Sequence, residues 1–333
     1  MTVLVTGGAG YIGSHMVLEL LDAGQDVVVL DNLSTGFDWA VPQPAKLVVG
    51  DIGERALVLK LLEDHAIDAV IHFAGSIVVP DSVTDPLGYY HNNTVKSRDL
   101  IDCCVKAGVG RFIFSSTAAV YGIPDESPAF ENALLAPISP YGSSKLMTEW
   151  MLRDVSQAHD FRYVALRYFN VAGADPKGRS GQSTPAATHL IKVTSQVALG
   201  QRSHLNIFGR DYDTPDGTCI RDYIHVSDLA RAHSKALDYL SAGGDSAVFN
   251  CGYGHGASVL EVIGAVERAA GCAIPVQDAP RRAGDPPALV AGATGAGETL
   301  GWQPEHDDLD LIVRHALDWE RRLAEMDAGK ATA

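Results

Sequence analysis

The chain has 333 residues, 46 % of them hydrophobic, and a formal net charge of −15. So acidic a protein is unsuited to nucleic acid or an anionic membrane surface, and any anionic ligand must be met by a few local cations. Its 5 cysteines form no C-x-x-C pair, so neither a disulfide framework nor a metal site is expected; with no long apolar run and no leader pattern, a cytoplasmic protein is expected.

The first expected strand is TVLVT, followed by the glycine-dense VTGGAGYIGSH and a helix from Tyr11 to Ala23. DVVVL and KLVVG read as the next strands, and a helix follows over Arg55 to Asp64. AVIHFAG leads to a helix near Tyr89 to Ala107, RFIFSS to a helix after Pro140, and RYVALRYFN closes the series. Such alternation, with strands that are continuous Val, Ile, Leu and Phe runs, predicts a Rossmann-type doubly wound parallel sheet covered on both faces, an α/β fold. After Asn170 the rhythm weakens. Turn-rich stretches over 173–222 and 279–288 predict a smaller, mixed α/β lobe shaped around a ligand. The expected division is a dinucleotide-binding domain over 1–172 with a return segment near 223–250, and a C-terminal substrate lobe over 173–222 and 251–333.

Gly7, Gly10 and Gly13 fall between the first strand and the first helix, where a dinucleotide fingerprint places its glycines. One permits the tight turn, one lets a pyrophosphate sit against the helix N-terminus, and one allows close packing of helix on strand. Asp31 ends the next strand, where a carboxylate can accept both hydroxyls of an adenosine ribose and repel a 2′-phosphate, favouring NAD over NADP. A plain turn-forming role before Asn32 stays open.

Further on, YGSSK places Tyr141 and Lys145 one helical turn apart on one face. FSSTAAVYG before it presents Ser115, Ser116 and Thr117 at a strand end. A phenol of pKa about 10 becomes a base near neutrality only if its anion is stabilised, which an adjacent ammonium and a cationic nicotinamide ring can do. No H-E-x-x-H, nucleophile elbow or P-loop offers a rival chemistry, and His72 reads as a packed or hydrogen-bonded residue.

Taken together, VTGGAGYIGSH, LDNLSTG, GDI, VIHFAG, YYHNNT, FIFSSTAAVYG, SPYGSSKLMTE, LRYFNVAGA, DGTCIRDYIHVSDLA and APRRAGDPPA resemble the extended short-chain dehydrogenase/reductase superfamily over nearly the whole chain. DGTCIRDYIHV and PRRAGD narrow the resemblance to its sugar-nucleotide 4-epimerases. That resemblance implies reversible 4-epimerisation of UDP-glucose and UDP-galactose through a transient 4-keto sugar, with tightly bound NAD. It assigns Tyr141, Lys145 and Thr117 to catalysis. Gly7, Gly10, Tyr11, Ile12, Gly13, Asp31, Asn32, Asp51, Ile52, Phe73, Ala74, Gly75, Asn93 and Phe169 map to the NAD site. Asn170, His189, Leu190, Asn206, Ile207, Phe208, Arg221, Arg282, Asp285 and Leu289 map to the sugar-nucleotide side. Arg221 and Arg282 would supply the cations for a diphosphate; pairing with Asp222 and Asp285 instead is the alternative. The resemblance also implies a homodimer formed through the helices after YYHNN and SPYGSSK, the second of which offers Leu146, Met147, Trp150, Met151, Leu152 and Val155.

This chain departs from the pattern at Ile77, where many such epimerases have lysine, at His189 in place of asparagine, and at Leu289 in place of tyrosine or a small residue. These positions bear on specificity and leave another UDP-sugar, N-acetylated or pentose, as an alternative. A dehydratase would need an acidic pair after Thr117, and Ala118 and Ala119 stand there.

Overall fold

The computed structural model describes residues 1–331 apart from 185, 186 and 283. Its first half contains β1 (Thr2–Thr6), α1 (Tyr11–Asp22), β2 (Asp26–Asp31), β3 (Lys46–Val49), α2 (Arg55–Asp64), β4 (Ala69–His72), α3 (Val79–Thr84) and α4 (Pro86–Tyr89). A π-helical turn (Tyr90–Val95) runs into α5 (Lys96–Ala107), then come β5 (Arg111–Thr117), α6 (Pro140–Ala158), β6 (Arg162–Tyr168) and β7 (Asn170–Ala172). The second half contains α7 (Leu190–Ala198), β8 (Leu205–Phe208), β9 (Ile220–Arg221), β10 (Tyr223–His225), α8 (Val226–Ser241) and β11 (Ala247–Cys251). It ends with β12 (Ala257–Ser258), α9 (Val259–Ala270), β13 (Val276–Ala279), β14 (Ala288–Leu289), α10 (Thr294–Leu300) and α11 (Leu309–Ala331).

Seven parallel strands form the main sheet in the order β11-β6-β5-β4-β1-β2-β3. Because side chains alternate along a strand, the continuous apolar runs feed two cores at once. Val3, Val5, Val29, Ile71 and Leu166 pack with Met16, Val17 and Leu20 of α1 and Leu229 of α8 on one face. Leu4, Val28, Leu30, Val70 and Phe114 pack with Leu61 of α2, Leu100 of α5 and Leu152 of α6 on the other. The strand order reverses between β1 and β4, and the crevice at such a switch point is where doubly wound sheets bind dinucleotides.

The expected helix over 89–107 is present with one difference. Its first turn is π-helical, which brings Asn93 into contact with Ser76 and Ser144. The smaller sheets are β7 with β10, β8 with β13, and β12-β9-β14. A third core, including Ile191, Ile207, Val262, Val266, Ile312 and Val313, holds α7, α9 and α11 together. Among the described residues no helix is long and apolar enough to cross a membrane.

Candidate active site

The three glycines divide their labour as their surroundings dictate. Gly7 has φ +72°, and a Cβ on it would lie 2.6 Å from the backbone nitrogen of Ala74. At Gly13 a Cβ would sit 2.1 Å from the carbonyl oxygen of Gly7, so only glycine lets α1 approach β1 this closely. Gly10 is the N-cap of α1, has no side-chain cap, and would meet only the Gly7 oxygen, at 3.3 Å. The first-turn amides of α1 and the positive end of its dipole therefore fit a diphosphate. The Tyr11 hydroxyl donates to the carbonyl of Gly173 at 2.8 Å.

Asp31 is buried at the end of β2, accepting from Ala9 N at 2.9 Å through one oxygen and from Leu33 N at 2.8 Å through the other. It thus fixes the glycine turn and shapes the turn before Asn32, and each oxygen keeps a lone pair for a ribose hydroxyl. Asp51 accepts from Lys96 at 2.7 Å and Asn32 at 3.2 Å; these bonds and one from Gly53 N hold its carboxyl below the usual range against the cost of burial. Phe73, Ala74 and Gly75 follow β4. A Cβ on Gly75 would lie 3.1 Å from Asn93 Oδ1 and 3.7 Å from Lys145 Nζ, so this segment passes beside the lysine. Both amide hydrogens of Asn93 are engaged, by Ser76 O and Ser144 Oγ, which makes it a strap between this segment and α6. Ile52 and Phe169 are buried.

Helix α6 starts where Ser139 accepts from Gly142 N at 3.2 Å and Pro140 fills the first turn, which fixes the register of Tyr141 and Lys145. Both side chains are buried. Burial pushes the Tyr141 phenol well above its ordinary value, Tyr168 adds to the rise, and the Thr117 hydroxyl pulls it back. Burial also draws the Lys145 ammonium down to about 8. Lys145 Nζ donates to Ser115 O at 3.1 Å, and Thr117 is a polar neighbour of the phenol. Burial disfavours the phenolate, and positive charge placed beside the phenol would favour it. His72 is spanned by Thr6 and Ser97 hydroxyls at 2.7 and 2.8 Å, a buried neutral imidazole.

On the sugar-nucleotide side, Leu289 of β14 is the register partner of Arg221 of β9, and it packs on a cluster containing Ala118 and Phe169. This places it between the strand end carrying Thr117 and the arginine. Arg221 is paired with Asp285 at 3.5 Å, while Asp222 is fully buried and taken by the amides of Tyr253, Gly254 and Ala291. Arg282 stacks over the Phe208 ring at 3.9 Å. Asn206 is exposed and Phe208 half-buried, but Ile207 is completely buried in the third core. A side-chain contact from Ile207 to a ligand is excluded by the two-residue period of β8, and only its backbone can serve. Asn170 and His189 are exposed, and Leu190 opens α7 half-buried.

One group at the site was missed in the sequence. Glu149, on the face of α6 that carries Tyr141 and Lys145, accepts from Ser116 Oγ at 2.5 Å and from Arg167 Nε at 3.0 Å and Nη2 at 2.6 Å. The available signal was a charged residue on the buried stripe of a helix.

The sheet order, the glycine turn and the buried tyrosine–lysine helix define a dinucleotide-dependent enzyme of the short-chain dehydrogenase type. A family model described as NAD dependent epimerase/dehydratase family matches residues 3–252, and the chain belongs to that family. NAD is accordingly its cofactor. The chain is 60 % identical over 331 residues to the UDP-glucose 4-epimerase of Azospirillum brasilense, covering 99 % of this chain and 95 % of that one. The crystal structure of UDP-glucose 4-epimerase from Brucella ovis in complex with NAD superimposes with a TM-score of 0.93 at 46 % identity, covering 95 % and 97 % of the two chains. The UDP-glucose 4-epimerase from Bifidobacterium longum in complex with NAD⁺ and UDP gives 0.92 at 41 % identity over 97 % and 98 %.

Proposed function

We propose that this chain interconverts UDP-glucose and UDP-galactose by inverting C4, with NAD retained through each turnover. The observation that carries the reading is the convergence, at the C-terminal edge of one parallel sheet, of the glycine turn, the buried Tyr141–Thr117 contact and Lys145, in a chain 60 % identical to a UDP-glucose 4-epimerase.

NAD, when bound at the glycine turn and beside Lys145, would supply a reversible two-electron acceptor for the hydride at C4 of the sugar. The chain's own residues do the rest. Tyr141, as phenolate, accepts the proton of the 4-hydroxyl, and Thr117 beside it orients that oxygen. Lys145, held on Ser115 O, lends positive charge at the strand end without giving up its proton. Arg221 and Arg282 hold the diphosphate, so the sugar can turn and present its other face while the nucleotide stays fixed. Asp285, already beside Arg221, limits that guanidinium's reach until a diphosphate competes for it.

The site assignments and the two-lobe division stand within this proposal, as does a cytoplasmic location. A homodimer belongs to it too: Val83, Leu87, Val95 and Trp150 are exposed on α3, α4, the π-helical turn and α6, which pack together. Sedimentation velocity at micromolar concentration should give about twice the monomer mass. The function is tested by incubating the purified protein with UDP-glucose and no added nucleotide. UDP-galactose should form until the two sugars reach equilibrium. Accumulation of a deoxy-keto sugar, or no conversion with NAD present, would overturn the assignment.

A further inference from the structure

Two irregular stretches lie over the N-terminus of α1. The first follows Asn32: Phe37 N donates to Ala9 O at 3.0 Å, and a Cβ on Gly36 would sit 2.8 Å from the Ala9 carbonyl carbon. The second belongs to the segment after β7, where Ser180 Oγ meets Ser14 Oγ at 2.6 Å. A narrow gap beside Gly10 is walled by Thr35 and Phe37 from one stretch and Ser183 and Thr184 from the other. The link between them is aromatic. The Phe37 ring packs on Trp39 at 5.1 Å, and Trp39 stacks on Trp319 of α11 at 6.3 Å with 29° between planes. Trp319 lies so close on Gly181 that a Cβ there would be 2.3 Å from the indole, and its ring N–H donates to Ser183 Oγ at 3.2 Å.

We propose that Trp39 and Trp319 form a clasp between the two stretches that covers the NAD diphosphate and sets how long the cofactor stays bound. The inference rests on the cofactor reading above. Neither indole touches the reacting atoms, so both are positioning residues. Residues 33–37 have no helix or strand to stiffen them, and the turn beneath them is largely glycine. Such a cover opens freely unless side chains anchor it, and a stacked indole pair is a strong anchor for its size. A cycle without net redox change gains from a cofactor that outlasts many turnovers, which gives the anchor a purpose. The two halves differ usefully: Trp319 is 4 % exposed and Trp39 is 37 % exposed, so Trp39 can be truncated with little damage to the core.

The experiment follows NAD release from purified holoenzyme into excess NAD-consuming glycohydrolase, with remaining bound NAD(H) measured chromatographically after denaturation. Trp39→Ala should lose NAD about tenfold faster than the wild type, with kcat near the wild-type value once NAD is resupplied at saturation. Trp39→Phe, which keeps a stacking ring, should fall between them. A release rate within twofold of the wild type in folded Trp39→Ala, judged by far-ultraviolet circular dichroism, overturns the clasp. Should that variant fail to fold, Trp39→Leu keeps bulk without the stack and is read by the same twofold limit. Wild-type protein that holds no NAD at all overturns the cofactor reading and the clasp with it, whereas NAD held equally long by wild type and variant overturns the clasp alone.

Discussion

Glu149→Gln isolates the buried ion pair behind the catalytic helix. Glu149 and Arg167 are each about 4–5 % exposed, and the carboxylate takes two guanidinium hydrogen bonds and one from Ser116. Arg167 goes on to Tyr121 OH at 3.0 Å and Glu131 O at 3.2 Å. The substitution barely changes volume but leaves a guanidinium buried without a counter-charge, and breaking such a pair typically costs about 3–5 kcal/mol. At about 2–3 °C per kcal/mol for a chain of this size, the melting midpoint should fall by roughly 6–15 °C. Ser116 also loses its strongest acceptor, one residue from the carbonyl that holds Lys145, so kcat should fall more than KM rises. Differential scanning fluorimetry and initial rates check both effects. Adding Arg167→Met removes the orphaned charge, so the double variant should be less destabilised than the two single losses added, by about 2 kcal/mol or more. Strict additivity, or a midpoint within about 2 °C of the wild type for Glu149→Gln, would refute this account.

Tyr141→Phe should lower kcat by at least about 10²-fold with the fold intact, as measured by UDP-galactose formation. Gly10→Ala should fold with a nearly unchanged melting midpoint yet bind NAD at least about tenfold more weakly, because its Cβ enters the space beside the helix N-terminus; Gly13→Ala, whose Cβ would meet Gly7 O at 2.1 Å, should instead lose fold stability. Burial holds His15 and His233 down to about 4, His72 to about 3 and His225 to about 2. Their folded pKa values lie below the unfolded value of about 6.5, so stability is full well above that pH and is lost as pH falls, by up to roughly 5 kcal/mol between pH 7 and 5.5. A urea midpoint that stays constant over that range would contradict this. Leu289→Ala should raise kcat/KM for UDP-N-acetylglucosamine relative to UDP-glucose, and Leu289→Tyr should lower it; an unchanged ratio would make Leu289 a packing residue only.

The sheet was legible because each parallel strand is a short unbroken apolar run between turns, a pattern few other environments tolerate. The place of Asp31 was legible because it ends such a run next to the glycine turn. Other features are decided by contacts distant in sequence. Nothing in YHNNTV separates a π-helical turn from an α-helical one; the difference lies in the hydrogen bonds Asn93 makes to Ser76 and Ser144, distant in sequence. Ile207 was assigned by likeness of position, and strand alternation, decided by pairing with β13, turned it into the core. Trp39 and Trp319 stand at opposite ends of the chain, so only folding reveals that they stack. Glu149 was visible as a charge on a buried stripe, but its partner Arg167 comes from a neighbouring strand.

Chemistry and specificity in this molecule share one frame. From Arg167 the hydrogen bonds continue through Tyr121 OH to Asn250 Oδ1 at 2.7 Å, and the Asn250 amide donates to Ala129 O and Gly292 O. Ala129 N in turn donates to Val290 O, adjacent to Leu289, and Leu289 O accepts from Asp222 N. β14, which carries Leu289, and β9, which carries Arg221, are thereby linked by hydrogen bonds to the helix carrying Tyr141 and Lys145. On the proposed mechanism the movement lies in the ligand, about the bonds between the sugar and an anchored diphosphate. On that same proposal, selectivity at C2 depends on how large a group can sweep past Leu289 during that turn, as well as on which group fits when it is at rest.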